Sequence, residues 1–412
     1  MVSLLKPCPD RYIRLDGRSN RDNNKGNLKL YRKERPMTYS PLNKLAELGQ
    51  SIWYDNIHRS LLKNGELARM IREDSITGLT SNPTIFEKAI AHSTDYDEEI
   101  QSFLRQNPDA DAINLYEALA ISDIRAATDL MRPIYERTGG RDGFVSLEVS
   151  PTLAHDTEGS VNEARRLFTT VDRPNVMIKI PGTAEGLPAI STLIGEGINV
   201  NVTLMFSLQH YDNVVNAYMD GLEKLADAGG DPGKVASVAS FFVSRVDTIF
   251  DKALETTGRS EALNLRGKIG IANAKATYRR FETVTNSQRF QALAAKGAQV
   301  QRPLWASTST KNPDYRDVLY VEELLGPDTV NTLPPVTLEA FKDHGLAKVR
   351  LTEGIDEAMA MLDQLEDLGI DYQDLTEILQ TDGVNAFAKS FKDLLKTLEA
   401  KRTEVLAGVQ TT

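Results

Sequence analysis

Val176-Met177-Ile178-Lys179-Ile180-Pro181 puts a lysine in the middle of a run that otherwise has the composition of a buried β-strand. Side chains alternate across a strand, so Val176, Ile178 and Ile180 share one apolar face while Met177 and Lys179 share the other. If that second face points into a closed interior, burial disfavours the ammonium. The side chain then tends toward a free amine able to attack a carbonyl and form a Schiff base. The competing reading is a lysine whose stem packs while its head reaches solvent. The flanking sequence has to separate the two.

Outward from this run, the same theme repeats. From Met37 onward, β-rich stretches at about 51–56, 76–81, 143–149, 175–181, 198–205, 235–243, 302–308 and 329–334 alternate with segments of helical period. The latter include Ile85 to Ile90, Ala112 to Tyr135, Leu208 to Ala228 and Leu263 to Thr283. Eight βα units predict an α/β fold, a (β/α)8 TIM barrel, over residues 37–412. The chain is longer than the roughly 250 residues typical of such a barrel, which predicts additional helices after strands 2 and 6 and at the C-terminus. A doubly wound open sheet is the alternative. No strand is followed by a Gly-x-Gly-x-x-Gly turn, and no Walker-type loop occurs.

Within these strands the polar residues fall on one side. In Val200-Asn201-Val202-Thr203-Leu204 the aliphatic residues suit packing under helices and leave Asn201 and Thr203 opposite. The same split pairs Ser146 with Glu148, and Ser240 with Phe242. Asp55 ends the first strand, Asn82 follows the second, and Ser307 lies near the end of the seventh. These are C-terminal strand ends, where barrel enzymes hold their chemistry. Each residue also has a plainer job: Asp55 could cap a helix running through Leu62, Asn82 before Pro83 is a good N-cap, and Arg245 could be a solvated helix charge. Convergence on one inward lysine favours the chemical reading, since a buried polar cluster is costly unless paired or functional.

Composition narrows the class. The chain has 412 residues, 41% of them hydrophobic, which is enough for one large core. No apolar run approaches the ~18 residues of a membrane span, and the N-terminus does not resemble a secretory signal. Cys8 is the only cysteine, which fits a reducing cytoplasm and rules out an internal disulfide or a cysteine zinc cage. Residues 1–36 hold ten basic and four acidic residues, a surplus of +6, so the rest of the chain carries −16 of the total −10. This stretch is apolar-poor and is expected to be a disordered basic extension, with Met37 a candidate native start. It lacks the aromatic platforms of a nucleic-acid arm, so neither nucleic acid nor membrane is expected as a partner.

The motifs Thr80-Ser81-Asn82-Pro83-Thr84-Ile85-Phe86, Ile178-Lys179-Ile180-Pro181, Gly197-Ile198-Asn199-Val200-Asn201-Val202-Thr203-Leu204-Met205-Phe206-Ser207 and Ser240-Phe241-Phe242-Val243-Ser244-Arg245-Val246-Asp247 resemble the signatures of transaldolase in its longer bacterial form. The likeness runs from about residue 40 to the C-terminal helices. It implies a cofactor-free, metal-free transferase of the pentose phosphate pathway. Such an enzyme moves a dihydroxyacetone unit from sedoheptulose 7-phosphate to glyceraldehyde 3-phosphate, giving erythrose 4-phosphate and fructose 6-phosphate.

By this resemblance Lys179 forms the Schiff base and Asp55 moves the proton of the hydroxyl at the bond that breaks. Glu148 and Thr203 hold a proton-shuttling water. Asn82, Asn201 and Ser240 hydrogen-bond the three-carbon intermediate, and Phe242 walls the pocket. An ionised Glu148 beside Lys179 would hold the ammonium, against the desolvation argument. Arg245 matches the family's first phosphate arginine. The second is missing from Trp305-Ala306-Ser307-Thr308-Ser309-Thr310-Lys311-Asn312, where Lys311 is the nearest cation. Three alternatives remain. A fructose 6-phosphate aldolase-like lyase is the nearest, but members of that branch lack the glutamate and phenylalanine found here at Glu148 and Phe242. A metal-dependent barrel hydrolase would need ligand spacing that His58, His92, His155, His210 and His344 do not show. A non-catalytic barrel would have no use for a buried reactive amine.

Overall fold

The computed structural model describes residues 40–409 apart from residue 92, and the expected extension over residues 1–36, with Met37, lies outside the described residues. The eight expected strands all form: β1 (Gln50–Tyr54), β2 (Ile76–Leu79), β3 (Phe144–Glu148), β4 (Val176–Pro181), β5 (Val200–Met205), β6 (Ser237–Phe242), β7 (Arg302–Ala306) and β8 (Thr329–Leu333). They pair in parallel, in sequence order, into a closed barrel in which β1 also pairs with β8. Closure leaves no edge strand and turns one face of every strand inward.

Several strands stop a residue or two short of their expected C-terminal ends. Asp55, Thr80, Ser81, Asn82 and Ser307 leave the ladder, and Ser307 turns into the left-handed region at φ 55. This frees side chains at the mouth from the strict alternation of the sheet. The alternation within the ladder holds. Val176, Ile178 and Ile180 pack with Val145, Leu147, Val200 and Val202 under the helices. Met177 instead joins Trp53, Phe144, Val238, Leu304 and Val330 inside the barrel. Trp53 fits there because its register partner is Gly78, where a Cβ would come within 2.6 Å of the indole.

The extra helices fall where length demanded them. Helices Pro83–Ala91, Asp97–Gln106 and Ala112–Arg137 follow β2. Four more separate β6 from β7, and Pro335–His344, Ile355–Asp367 and Tyr372–Val409 follow β8. One expected helix is corrected. The stretch Leu263 to Thr283 breaks into Ser260–Leu263 and Ile269–Thr285, because Gly267 adopts φ 69 and its N–H, with that of Gly270, is taken by the carboxylates of Asp251 and Asp247. No helix among the described residues is long and apolar enough to cross a membrane.

The N-terminal end of the barrel is sealed by a polar plug. Arg302, buried, donates to the Ser51 hydroxyl at 2.6 Å and the Arg141 carbonyl at 2.7 Å, and its charge lies 3.7 Å from Asp142. Asp142 accepts from the Trp53 indole at 2.7 Å and from the Ser51 hydroxyl.

Candidate active site

β4 carries Lys179 inward at 5% exposure, so the snorkelling alternative does not hold. Its register partners are Glu148 on β3 and Asn201 on β5, which sets three polar side chains side by side across adjacent strands. The Lys179 Nζ lies 3.2 Å from Glu148 Oε2 and donates to the Ser81 carbonyl at 3.1 Å. Burial pushes the Glu148 carboxyl up, while the Lys179 charge and hydrogen bond pull it down. Burial prevails, so the carboxyl lies above its ordinary range.

Asp55 sits just past β1, half-buried, its N–H held by the Leu333 carbonyl at 2.9 Å. Its carboxylate accepts from the Thr80 hydroxyl at 2.6 Å, and Thr80 in turn meets the Thr332 hydroxyl at 2.6 Å. Burial raises its pKa against the lowering effects of that hydrogen bond and of Lys179 and Lys311. Asp55 does not cap the following helix. Helix Arg59–Lys63 is capped by His58, whose ring nitrogen accepts from the Leu61 N–H at 3.2 Å. Asn82, in contrast, does both jobs: its Oδ1 accepts from the Ile85 N–H at 3.0 Å, and the residue also lines the cavity.

That cavity, about 150 Å³ at the C-terminal mouth, is lined by every expected site residue except Glu148. Glu148 stands behind the lysine and borders instead a second cavity, outside the barrel beside Tyr116. In the mouth, Ser240 donates to Asn201 Oδ1 at 2.7 Å, and Asn201 Nδ2 donates to the Ser146 hydroxyl at 3.0 Å, so the amide is fixed in orientation. Thr203 is fully buried, and its hydroxyl has no hydrogen-bond partner among the described residues. A buried hydroxyl left open on a cavity is costly unless a water or substrate completes it.

The cationic side of the mouth is built on β6 and β7. Arg245, two residues into the helix after β6, lays its guanidinium 4.8 Å from the Phe242 ring. Ser307 is tied to Ser244 by a 2.8 Å hydroxyl contact and accepts from the Ser244 N–H at 3.1 Å. Lys311 stands at the exposed rim. Its pKa is lowered first by partial burial and then by the charges of Arg245 and Lys88. Cationic side chains brought this close together at a cavity mouth make a place for an anion.

The sequence reading missed four participants. Thr80 and Thr332 hold Asp55, and Thr80 lay inside a quoted motif without a role. Lys88 lies one turn along the helix that Asn82 caps. Phe387, on the last helix, places its ring 5.6 Å from the Lys179 amine, and no strand-end signal could have found it.

A closed (β/α)8 barrel with a buried lysine, two carboxyls raised by burial and a cationic rim gathered at the C-terminal mouth has the layout of a barrel enzyme's active site. Comparison with known proteins is more specific. The profile of the transaldolase/fructose-6-phosphate aldolase family matches residues 52–398. A transaldolase 2 from Nostoc sp. is 46% identical over 376 residues, covering 89% of this chain and 98% of that protein. Transaldolases from Thiobacillus denitrificans and Acidothermus cellulolyticus are each 49% identical, covering 85% and 88% of this chain and 97% and 98% of their own lengths. The chain belongs to the transaldolase/fructose-6-phosphate aldolase family.

Proposed function

We propose that the chain is a transaldolase of the pentose phosphate pathway. It takes a dihydroxyacetone unit from sedoheptulose 7-phosphate and gives it to glyceraldehyde 3-phosphate, releasing erythrose 4-phosphate and fructose 6-phosphate. The observation that carries this reading is the inward, buried Lys179 bonded to Glu148 beneath a cavity that Asp55 also lines.

The Lys179 amine attacks the donor ketone carbon. Loss of water leaves an iminium whose nitrogen accepts the electron pair of the carbon–carbon bond that breaks. Asp55, kept ready as a base, removes the proton of the hydroxyl on the departing aldehyde fragment, and that oxygen becomes a carbonyl. The same carboxyl returns the proton when the enamine carbon bonds to the acceptor aldehyde. Glu148 moves protons to and from the lysine nitrogen, and the open Thr203 hydroxyl holds the water that adds to the iminium and frees the amine. Asn82, Asn201 and Ser240 keep the three-carbon unit in place, Phe242 walls it in, and Arg245, Ser307 and Lys311 hold the sugar phosphate. None of these steps requires a cofactor or metal ion. The single cysteine of the chain fits the cytoplasm as the place of work.

The family name covers a second reading, cleavage of fructose 6-phosphate without transfer. Glu148 against Lys179 and Phe242 against Arg245 favour the transferase. The two are separated by supplying fructose 6-phosphate with and without erythrose 4-phosphate. The proposal expects rapid sedoheptulose 7-phosphate formation with the acceptor and slow dihydroxyacetone release without it. Equal rates would favour the lyase.

A further inference from the structure

The C-terminal helix Tyr372–Val409 lays one face across the barrel mouth. Gln380 Nε2 donates to the Gly182 and Leu204 carbonyls, each at 3.1 Å, which ties the helix to the loop ends of β4 and β5. One turn on, Gly383 fits so closely that a Cβ would meet the Leu204 side chain at 2.7 Å and the Arg245 guanidinium at 3.4 Å. Leu204 itself takes φ 62, an uncommon conformation for a non-glycine residue that surrounding contacts have to hold. Next comes Phe387, 5% exposed, with its ring 5.6 Å from the Lys179 Nζ and 5.7 Å from the Arg245 guanidinium. Ser390 then bonds Thr84 at 2.8 Å, and Phe391 meets Tyr116 edge-on at 5.4 Å. Residues 380, 383, 387, 390 and 391 fall on one helical face, so the ring over the lysine is fixed from both sides.

We propose that Phe387 is a specificity-determining residue that keeps the lysine-bound three-carbon intermediate committed to an acceptor sugar; this rests on the Schiff-base role of Lys179. Once the donor bond has broken, the enamine has two fates. Its nucleophilic carbon can bond to the acceptor aldehyde carbon, whose oxygen then takes a proton. Alternatively that carbon takes a proton, water adds to the resulting iminium carbon, and the carbon–nitrogen bond breaks to release dihydroxyacetone and free amine. Both fates end with water adding to an iminium, so what sets the second apart is delivery of a proton to the enamine carbon, by a water beside it, before an acceptor arrives. Phe387 presents a surface with no hydrogen-bond donor or acceptor at that place, so it holds no water there. Its π face also attracts the cationic nitrogen and holds it in the dry part of the pocket. Phe387 is the ring that meets the Lys179 amine, while Phe242, 6.5 Å from it, walls the cavity against Arg245.

The test uses the full chain and its Phe387→Ala and Phe387→Leu variants with fructose 6-phosphate. Dihydroxyacetone release without acceptor and sedoheptulose 7-phosphate formation with erythrose 4-phosphate are measured, with borohydride trapping and peptide mapping alongside. The ratio of release to transfer should rise about tenfold in Phe387→Ala, and by less in Phe387→Leu, which keeps apolar bulk but loses the ring. Leucine preserves the packing of the helix, so a folding defect in the alanine variant would leave a usable comparison. An unchanged ratio in the variants, with the adduct still on Lys179, would overturn the role of Phe387. No Lys179 adduct in the unaltered protein would overturn the Schiff-base reading instead.

Discussion

At the N-terminal end of the barrel, Arg302, Asp142, Ser51 and the Trp53 indole close on one another through short hydrogen bonds. At the C-terminal end, the Thr203 hydroxyl has no partner among the described residues, Asp55 and Glu148 are pushed away from their ordinary carboxylate range by burial, and cations gather at the rim. Both ends bury charge inside the same ring of strands. The difference is that the first set of polar groups is completed by the protein, while the second keeps an open hydroxyl at Thr203 and two carboxyls raised by burial. Satisfied polar clusters specify structure, whereas unsatisfied and shifted ones mark chemistry.

Substitutions at the two ends should therefore fail in opposite ways. Asp55→Ala should lower turnover by about 10²- to 10⁴-fold, the usual worth of a positioned proton transfer, without lowering the melting temperature. Adduct formation on Lys179 should survive. Because burial raises the folded-state pKa of Asp55, the acidic limb of the turnover profile should lie above the ordinary aspartate range, with activity lost as pH falls through that raised value. The stability effect has the opposite sign: the carboxylate weakens the fold above its folded pKa and is without effect below its unfolded one. The stability gained in Asp55→Asn should therefore grow with pH across that interval. Near-normal turnover in Asp55→Ala would remove Asp55 from the mechanism.

Arg302→Met should show the reverse pattern. It leaves Asp142 buried without its cation, at a cost of about 3–5 kcal/mol in unfolding free energy, while turnover per folded molecule holds. A drop in turnover without loss of stability would show that the two ends are not independent.

Smaller effects are expected at the phosphate rim. Arg245→Ala should raise KM for phosphorylated sugars far more than for dihydroxyacetone, by the ~1.5–3 kcal/mol of a charge-assisted contact. Lys311→Ala should do the same more weakly, and Lys311→Arg should preserve binding. Equal losses for both kinds of substrate would reduce Lys311 to a surface charge.

Much of this contrast was legible in the sequence, because period-two alternation and a closed barrel together determine which side chains face inward. Lys179, Glu148, Asn201 and Ser240 were readable on that ground alone. What alternation could not supply lies beyond the ladder or outside the strands. Asp55 offered a plausible helix cap that His58 in fact provides. Lys88 looked like any exposed helix lysine. Phe387 belongs to a helix more than two hundred residues from Lys179, and only the tertiary path of the chain brings it over the amine. The break at Gly267 escaped notice because both flanking segments carry helical period, and only the Asp247 and Asp251 contacts show where one ends.

The central claim is that Lys179 is the amine that carries the substrate, and borohydride reduction in the presence of fructose 6-phosphate tests it most directly. The account predicts a protein heavier by one reduced dihydroxyacetone unit, with the modification mapped to the peptide containing Lys179 and absent from Lys179→Met. An adduct on another lysine, or a fully active protein that traps none, would contradict it.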